Sequence, residues 1–326
     1  MSNEYRVADF HCDVLSKLQM NSTLNFQEDE RLDVHAARLK EGRVLLQTFA
    51  IYLSEKLGRP TFEHIAEQIS IFYSKVAAGL SGSGTLQPLQ WRDQAERLAS
   101  YTGHDKSWAL LALEGVDGLE GRLMYVDLCY LLGVRVMGIT WNYANWAADG
   151  ILEQRNGGFS TKGRAFIKRC GELGLLLDVS HLSEHGFWEL MELSDKPPIA
   201  SHSNTRACCS HPRNLTDEQI TALVAREGRI GITFVPQFTK AAVPVTNTDL
   251  LKHLEHICSR GGASHIMFGS DFDGIETHIQ GLEHAGKYPS LIDLLLKHYP
   301  EPIVRGWTSG NAFSYLASHL PERPSV

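Results

Sequence analysis

The chain has 326 residues, 43% of them hydrophobic and 21% charged, the make-up of a folded globular protein and too long for a small stapled module. A formal net charge of −7, with no run of Lys or Arg, argues against nucleic acid or an anionic membrane surface as partner. The start "MSNEYRVADF" lacks the basic and apolar regions of a secretory signal, no apolar stretch approaches the roughly 20 residues of a membrane span, and the six cysteines form no CxxC pair; a cytoplasmic setting with reduced thiols is expected.

In chain order, eight short apolar runs read as strands buried on both faces: "YRVADF", "VLLQTFAIY", "WALLALEG", "VRVMGITW", "LLLDVSH", "PIASH", "RIGITFV" and "HIMFGSD". Between them lie helical patterns, among them "LDVHAARLKEG", "TFEHIAEQISIFYSKVAAGL", "GRAFIKRCGELG", "SEHGFWELMEL", "TDEQITALVAREG" and "NTDLLKHLEHICSRGG". Several begin at Ser, Thr or Asn and end at Gly, as capping requires. Eight strands alternating with helices predict an α/β fold, a (β/α)8 TIM barrel forming one domain over residues 1–326. Insertions are expected in the helical region 61–101 and in the loop around "ANWAADGILEQRNGG". "GLSGSGTLQP" is Gly/Ser-rich but too short for a domain linker. A doubly wound sheet shares the alternation, but no GxGxxG follows the first strand.

Barrel enzymes carry their chemistry at the C-terminal ends of the strands. Here those ends hold His11 and Asp13, then Glu114, His181, His202 and Asp271. All are residue types that bind a divalent ion through nitrogen or oxygen, and a mix of imidazole and carboxylate suits zinc. A bridging carboxylate in such a set would hold two ions a few ångströms apart, acidify a bridging water and polarise a carbonyl, with a nearby carboxylate taking the proton. Within the first strand, His11 and Asp13 would face one way and Cys12 the other, so Cys12 is expected to pack. Arg213, in "HPRNLTDEQI", would fork onto a substrate carboxylate.

Each residue alone has a plainer reading. A single His at a strand end is more often structural, Glu114 before Gly115 ends a strand, Asp271 and Asp273 suit a turn, and Arg213 suits a surface ion pair. Their joint placement favours the site. His35, His64, His253, His256, His298 and His319 fall in helical or terminal segments and are expected to be exposed, and Cys208 and Cys209 to pack as small apolar residues.

The segments "FHCD", "LEG", "DVSH", "SHSNTRACCSHPRNLTDEQI" and "GSDFDG" together resemble the renal (membrane) dipeptidase family of zinc peptidases, in the amidohydrolase group. The resemblance runs from the first strand to "SGNAFSYL" and is most specific in "SHSNTRACCSHPRNLTDEQI". It implies two Zn2+ ions, one on His11 and Asp13, the other on His181 and His202, with Glu114 bridging. Asp271 would transfer the proton and Arg213 would hold the carboxylate of a small dipeptide. Two positions depart from the family pattern. Cys12 stands where the middle Asn of "HND" is usual, and Trp141, in "TWNYANWAADG", stands where mammalian members carry an oxyanion-stabilising His. Losing such a donor costs ~2.7–4 kcal/mol of transition-state stabilisation unless it is replaced. Asn142, Tyr143 and Asn145 are candidate donors, and Trp141 itself a candidate pocket wall. The resemblance implies a binuclear zinc dipeptidase acting through a metal-bridging hydroxide on L-Xaa-L-Xaa and L-Xaa-D-Xaa dipeptides. Alternatives are a related metallohydrolase of N-acyl amino acids or Cys-Gly conjugates, and a non-catalytic metal-containing binding protein. A homodimer would be unsurprising for such a barrel.

Overall fold

The structure, a computed structural model, describes residues 5–77, 85–101, 103 and 106–324. Most of "GLSGSGTLQP" and the end of the helical pattern at 78–80 lie outside the described residues. Among the described residues nine strands follow in chain order: β1 (Val7–Asp9), β2 (Val44–Tyr52), β3 (Gln87–Pro88), β4 (Trp108–Glu114), β5 (Val134–Gly138), β6 (Leu176–Asp178), β7 (Ile199–Ala200), β8 (Arg229–Ile232) and β9 (Ile266–Phe268). All eight runs read as strands are present. The named pairings are all parallel and run β1-β2-β4-β5-β6-β7-β8-β9, with β9 returning to β1, so the sheet closes on itself. β3 is a two-residue addition beside β4. With its surrounding helices this is the expected (β/α)8 barrel.

The continuous apolar runs follow from burial on both faces. Along β4, Leu110 and Ala112 join one buried cluster, whereas Ala109, Leu111 and Leu113 join the other, the period-two alternation of a strand. The smaller cluster continues through Ala8, Val136, Leu176 and Met267 to Ala312, Phe313 and Leu316 of the helix Asn311–His319. That helix is tied to the start of β8, where Arg229 Nε donates to the Asn311 carbonyl oxygen at 3.0 Å. It therefore closes the N-terminal end of the barrel and leaves the C-terminal end open. Each large apolar side chain buried in this way contributes about 1.5–3 kcal/mol.

Two glycines let the barrel close around β7. A Cβ added to Gly231 or to Gly269 would lie 1.8 Å from the Ser201 carbonyl oxygen, so no side chain is tolerated at either position. This close approach fixes the segment that carries His202.

The strands are shorter than the apolar runs suggest, because the chain leaves the sheet to build the site. β1 ends at Asp9, and Asp13 already caps the helix Val14–Met20, so strand alternation does not set the directions of His11 and Asp13. His181 and Asp271 lie three residues past their strands and adopt φ of 65° and 67°. Left-handed backbone at residues other than glycine costs of order 1–3 kcal/mol and gathers at functional sites. Of the histidines read as exposed, His298 is, His64, His256 and His319 are half-buried, and His35 and His253 are buried, contrary to expectation. His35 Nδ1 accepts from Arg38 N, and His253 Nδ1 lies 3.1 Å from Thr205 N. Each has a local hydrogen-bonding job that helical periodicity does not reveal.

Candidate metal centre

Five segments from the open end of the barrel converge. His11 (2% exposed), Asp13, Glu114, His181 and His202 are buried, and Asp271 sits at their edge. Glu114 occupies the middle. Its Oε2 lies 3.5 Å from His11 Nε2, and its Oε1 lies 3.0 Å from His181 Nε2 and 3.5 Å from His202 Nε2. Asp13 Oδ2 is 3.5 Å and Asp271 Oδ1 3.8 Å from His11 Nε2. Ligand-type atoms within 4.8 Å of one another thus form a His11, Asp13 and Glu114 group and a Glu114, His181 and His202 group, with His11, His202 and Asp271 as a third set spanning the two. One carboxylate is shared, with one oxygen turned toward each group.

The hydrogen bonds around the imidazoles fix their tautomers. His181 Nδ1 lies 2.8 Å from Asn142 Oδ1, an acceptor, so it carries the proton. His202 Nδ1 lies 2.7 Å from Ser201 Oγ, and that hydroxyl gives its own proton to Asp178. His202 Nδ1 must then donate as well. With the proton on Nδ1 of both rings, the Nε2 atoms turn bare lone pairs toward each other at 2.9 Å and toward Glu114 Oε1, an arrangement that favours a cation between them over a proton on either. Two facing lone pairs repel, and a cation bound by both removes the conflict.

The other group carries a second sign of fit. Asp13 Oδ1 is buried without a hydrogen-bond partner, an orphan costing about 1–3 kcal/mol, and His11 Nε2 also lacks a hydrogen bond, its carboxylate neighbours Asp13 and Glu114 standing 3.5 Å away. Gly274 keeps the space open: an added Cβ would lie 2.3 Å from Asp13 Oδ2 and 2.6 Å from Asp271 Oδ1. The donor set, oxygen and imidazole nitrogen without thiolate, suits a divalent ion such as zinc.

Electrostatics separate the two groups. Burial, then Arg213, pushes the His181 pKa down to about 4, and burial with His11 and Arg213 holds His202 well below its usual value. His11 goes the other way: burial opposes its charge, but Glu114 and Asp13 outweigh burial and raise its pKa well above normal. Burial, then the carboxylates of Asp13 and Glu114, keeps Asp271 well above the ordinary carboxyl range despite the opposing pull of His11. Burial, then Glu114, raises Asp13.

Arg213 is buried, with Nη2 donating to the His202 carbonyl oxygen at 3.1 Å and Nε lacking a partner. It has no carboxylate within 4.0 Å among the described residues, so the surface ion-pair reading fails. The guanidinium stacks over Phe238 at 5.6 Å and lines a void of about 10 Å³ beside His181.

The segment after β5 is more varied than expected. Trp141 and Asn142 line the main cavity, which has a volume of about 960 Å³. Asn142 spends its Oδ1 on orienting His181, and Asn145 spends its amide on Asp117 and the Ile139 carbonyl oxygen. Tyr143 is 56% exposed, over a neighbouring pocket. Asn145 is thereby removed as an oxyanion donor, and Asn142 gains a supporting role. The Asp178–Ser201 support of His202 was missed; in "LLLDVSH" and "PIASHS" the acid and the serine beside each histidine were its only trace. Cys12 is fully buried and packs as expected, and Cys209 is buried but Cys208 exposed. No helix among the described residues is long and apolar enough to cross a membrane.

Comparison with known proteins shows what the chain is similar to. A protein from the pqqA 5′ region of Klebsiella pneumoniae, itself uncharacterised, is 34% identical over 204 residues, 59% of this chain and 74% of that protein. Dipeptidase aclJ of Aspergillus oryzae is 32% identical over 213 residues, 64% of this chain but 50% of its own length. The chain spans about half the length of this fungal relative. The fold matches a metallopeptidase of Rhodobacter sphaeroides, solved with a phosphinate mimic of L-Ala-D-Ala, at a TM-score of 0.84 and 23% identity, covering 98% of this chain and 100% of that one. The model of the membrane dipeptidase family matches residues 1–318. With nearly its whole length matched, this chain belongs to the membrane dipeptidase family, peptidase family M19, whose members are hydrolases of peptide bonds, and groups that could hold a metal ion lie at the mouth of its barrel.

Proposed function

We propose that the protein is a cytoplasmic dipeptidase, one barrel domain that uses two zinc ions to hydrolyse L-L and L-D dipeptides. The observation that carries this reading is the shared Glu114, one oxygen toward His11 and the other toward the facing Nε2 atoms of His181 and His202. His11 and Asp13 would hold one ion, His181 and His202 the other, and Glu114 both. Bound there, the ions supply an acidified water and a polarised scissile carbonyl.

The chain's own groups do the rest. Asp271 Oδ1, 3.8 Å from His11 Nε2, holds the proton taken from the attacking water and delivers it to the leaving amine. Arg213 binds the C-terminal carboxylate: a buried guanidinium with an orphaned Nε and no nearby carboxylate is completed by an anion. Asn142 keeps the His181 ring in its ligating tautomer. The Rhodobacter structure holds a mimic of an L-Ala-D-Ala dipeptide, which supports the same substrate class here.

A second reading, hydrolysis of another amide such as an N-acyl amino acid or a Cys-Gly conjugate, is favoured by Trp141. Its ring lies 5.3 Å from Tyr52 and gives the cavity an aromatic wall. The test is a panel of L-L and L-D dipeptides beside acylated amino acids, assayed on purified protein with zinc. Turnover of dipeptides is expected. No hydrolysis of any dipeptide, with two ions bound per chain, overturns the proposal, and cleavage of acylated amino acids alone selects the second reading.

A further inference from the structure

Beside the metal centre lies a second pocket of about 300 Å³, lined by Tyr52, Leu53, Glu55, Gly58, Pro60, Glu114, Gly115, Asp117, Trp141, Tyr143 and Ala144. Tyr52, Glu114 and Trp141 also line the main cavity, so the two spaces share a wall. The position of this pocket follows from strand order. Tyr52 ends β2 and pairs in register with Glu114 at the end of β4. In the closed ring β2 lies four strands from β7, directly across the barrel mouth, and Arg213 follows β7. In the proposed binding mode, with the carboxylate on the Arg213 side and the amide over the metal centre, the first residue of a dipeptide extends toward this pocket.

The chemistry of the lining is selective. Every charged side chain on it is a carboxylate: Glu55, Glu114 and Asp117. Asp117 bonds through Oδ2 to the Asn145 amide at 3.2 Å, and no cation pairs with it among the described residues. Lys56, the adjacent base, lines the main cavity instead. The Tyr52 and Trp141 rings, tilted by 55° at 5.3 Å, and the exposed Tyr143 ring present aromatic faces. Aromatic faces attract ammonium and guanidinium groups through their quadrupoles, and nearby carboxylates add to that attraction.

We infer that this pocket is the specificity site for the first residue of the substrate and selects Lys or Arg there. The inference rests on the dipeptidase reading above. Selectivity comes from the side-chain cation, with its alkyl stem along Trp141 and its charge between Asp117, Glu55 and the tyrosines.

The test compares kcat/KM for Lys-Ala with that for norleucine-Ala, and Arg-Ala with citrulline-Ala, pairs of similar length that differ in charge. We expect the cationic member to be favoured by on the order of tenfold, and Asp117→Asn combined with Glu55→Gln to bring the ratio toward one. Equal rates, or a preference for norleucine, overturn the inference while leaving the dipeptidase reading intact. Absence of turnover for all four peptides leaves the dipeptidase reading to be decided on the wider panel above. In that event the pocket is still read by calorimetric Kd values of Lys-Ala and norleucine-Ala on zinc-loaded Asp271→Asn protein, where equal affinities overturn the inference and tighter binding of Lys-Ala supports it.

Discussion

The His181–His202 half of the centre and the His11–Asp13 half meet at Glu114, yet they are supported in different ways. The first half is held by side-chain hydrogen bonds: one ring donates to Asn142 Oδ1 and the other to Ser201 Oγ, whose own proton goes to Asp178. Burial lowers the pKa of both imidazoles and favours their neutral form, and their Nε2 atoms face each other. The second half is carboxylate-rich: His11 is drawn toward its charged form, and two buried atoms have no hydrogen-bond partner. One half is pre-organised and the other is incomplete, so an ion entering the second competes with the proton that Glu114 and Asp13 favour on His11. The shared Glu114 couples them, which makes it the most sensitive position in the site.

The largest effect is therefore expected from Glu114→Gln. Metal content should fall at both halves and activity by more than the ~10–100-fold that loss of a supporting group costs; a variant that keeps both ions breaks the bridging account. Asp271→Asn separates proton transfer from metal binding. It should lower kcat by about 10²–10⁴-fold with metal retained, as elemental analysis and steady-state kinetics on one sample would reveal. Asn142→Ala sharpens the contrast between the halves, weakening one ion by ~10–100-fold and sparing the other in a competitive chelator titration. The smallest change is Cys12→Ala. It should cost about 1 kcal/mol in denaturant unfolding, through a small buried cavity, with metal content unchanged.

Much of this was legible before folding. The strand runs carry apolar residues on both faces because the barrel buries both, so "VLLQTFAIY" became β2 at its expected bounds. The chemical residues stood out because His, Asp and Glu end apolar runs where burial disfavours them. What stayed hidden depends on contacts distant in sequence. Asp178 reaches Ser201 across 23 positions, and Tyr52 meets Glu114 only through β2–β4 pairing. His253 reads as a surface residue of a helix until Thr205 folds against it. The left-handed backbone at His181 and Asp271 has no glycine to announce it; packing around the site imposes it.

The central claim is that one carboxylate joins two ion sites, and counting ions per chain tests it most directly. Purified protein saturated with zinc, dialysed and analysed by mass spectrometry should hold two ions per chain, with fewer than one left in Glu114→Gln. A single ion in the unaltered protein that survives Glu114→Gln would contradict the account.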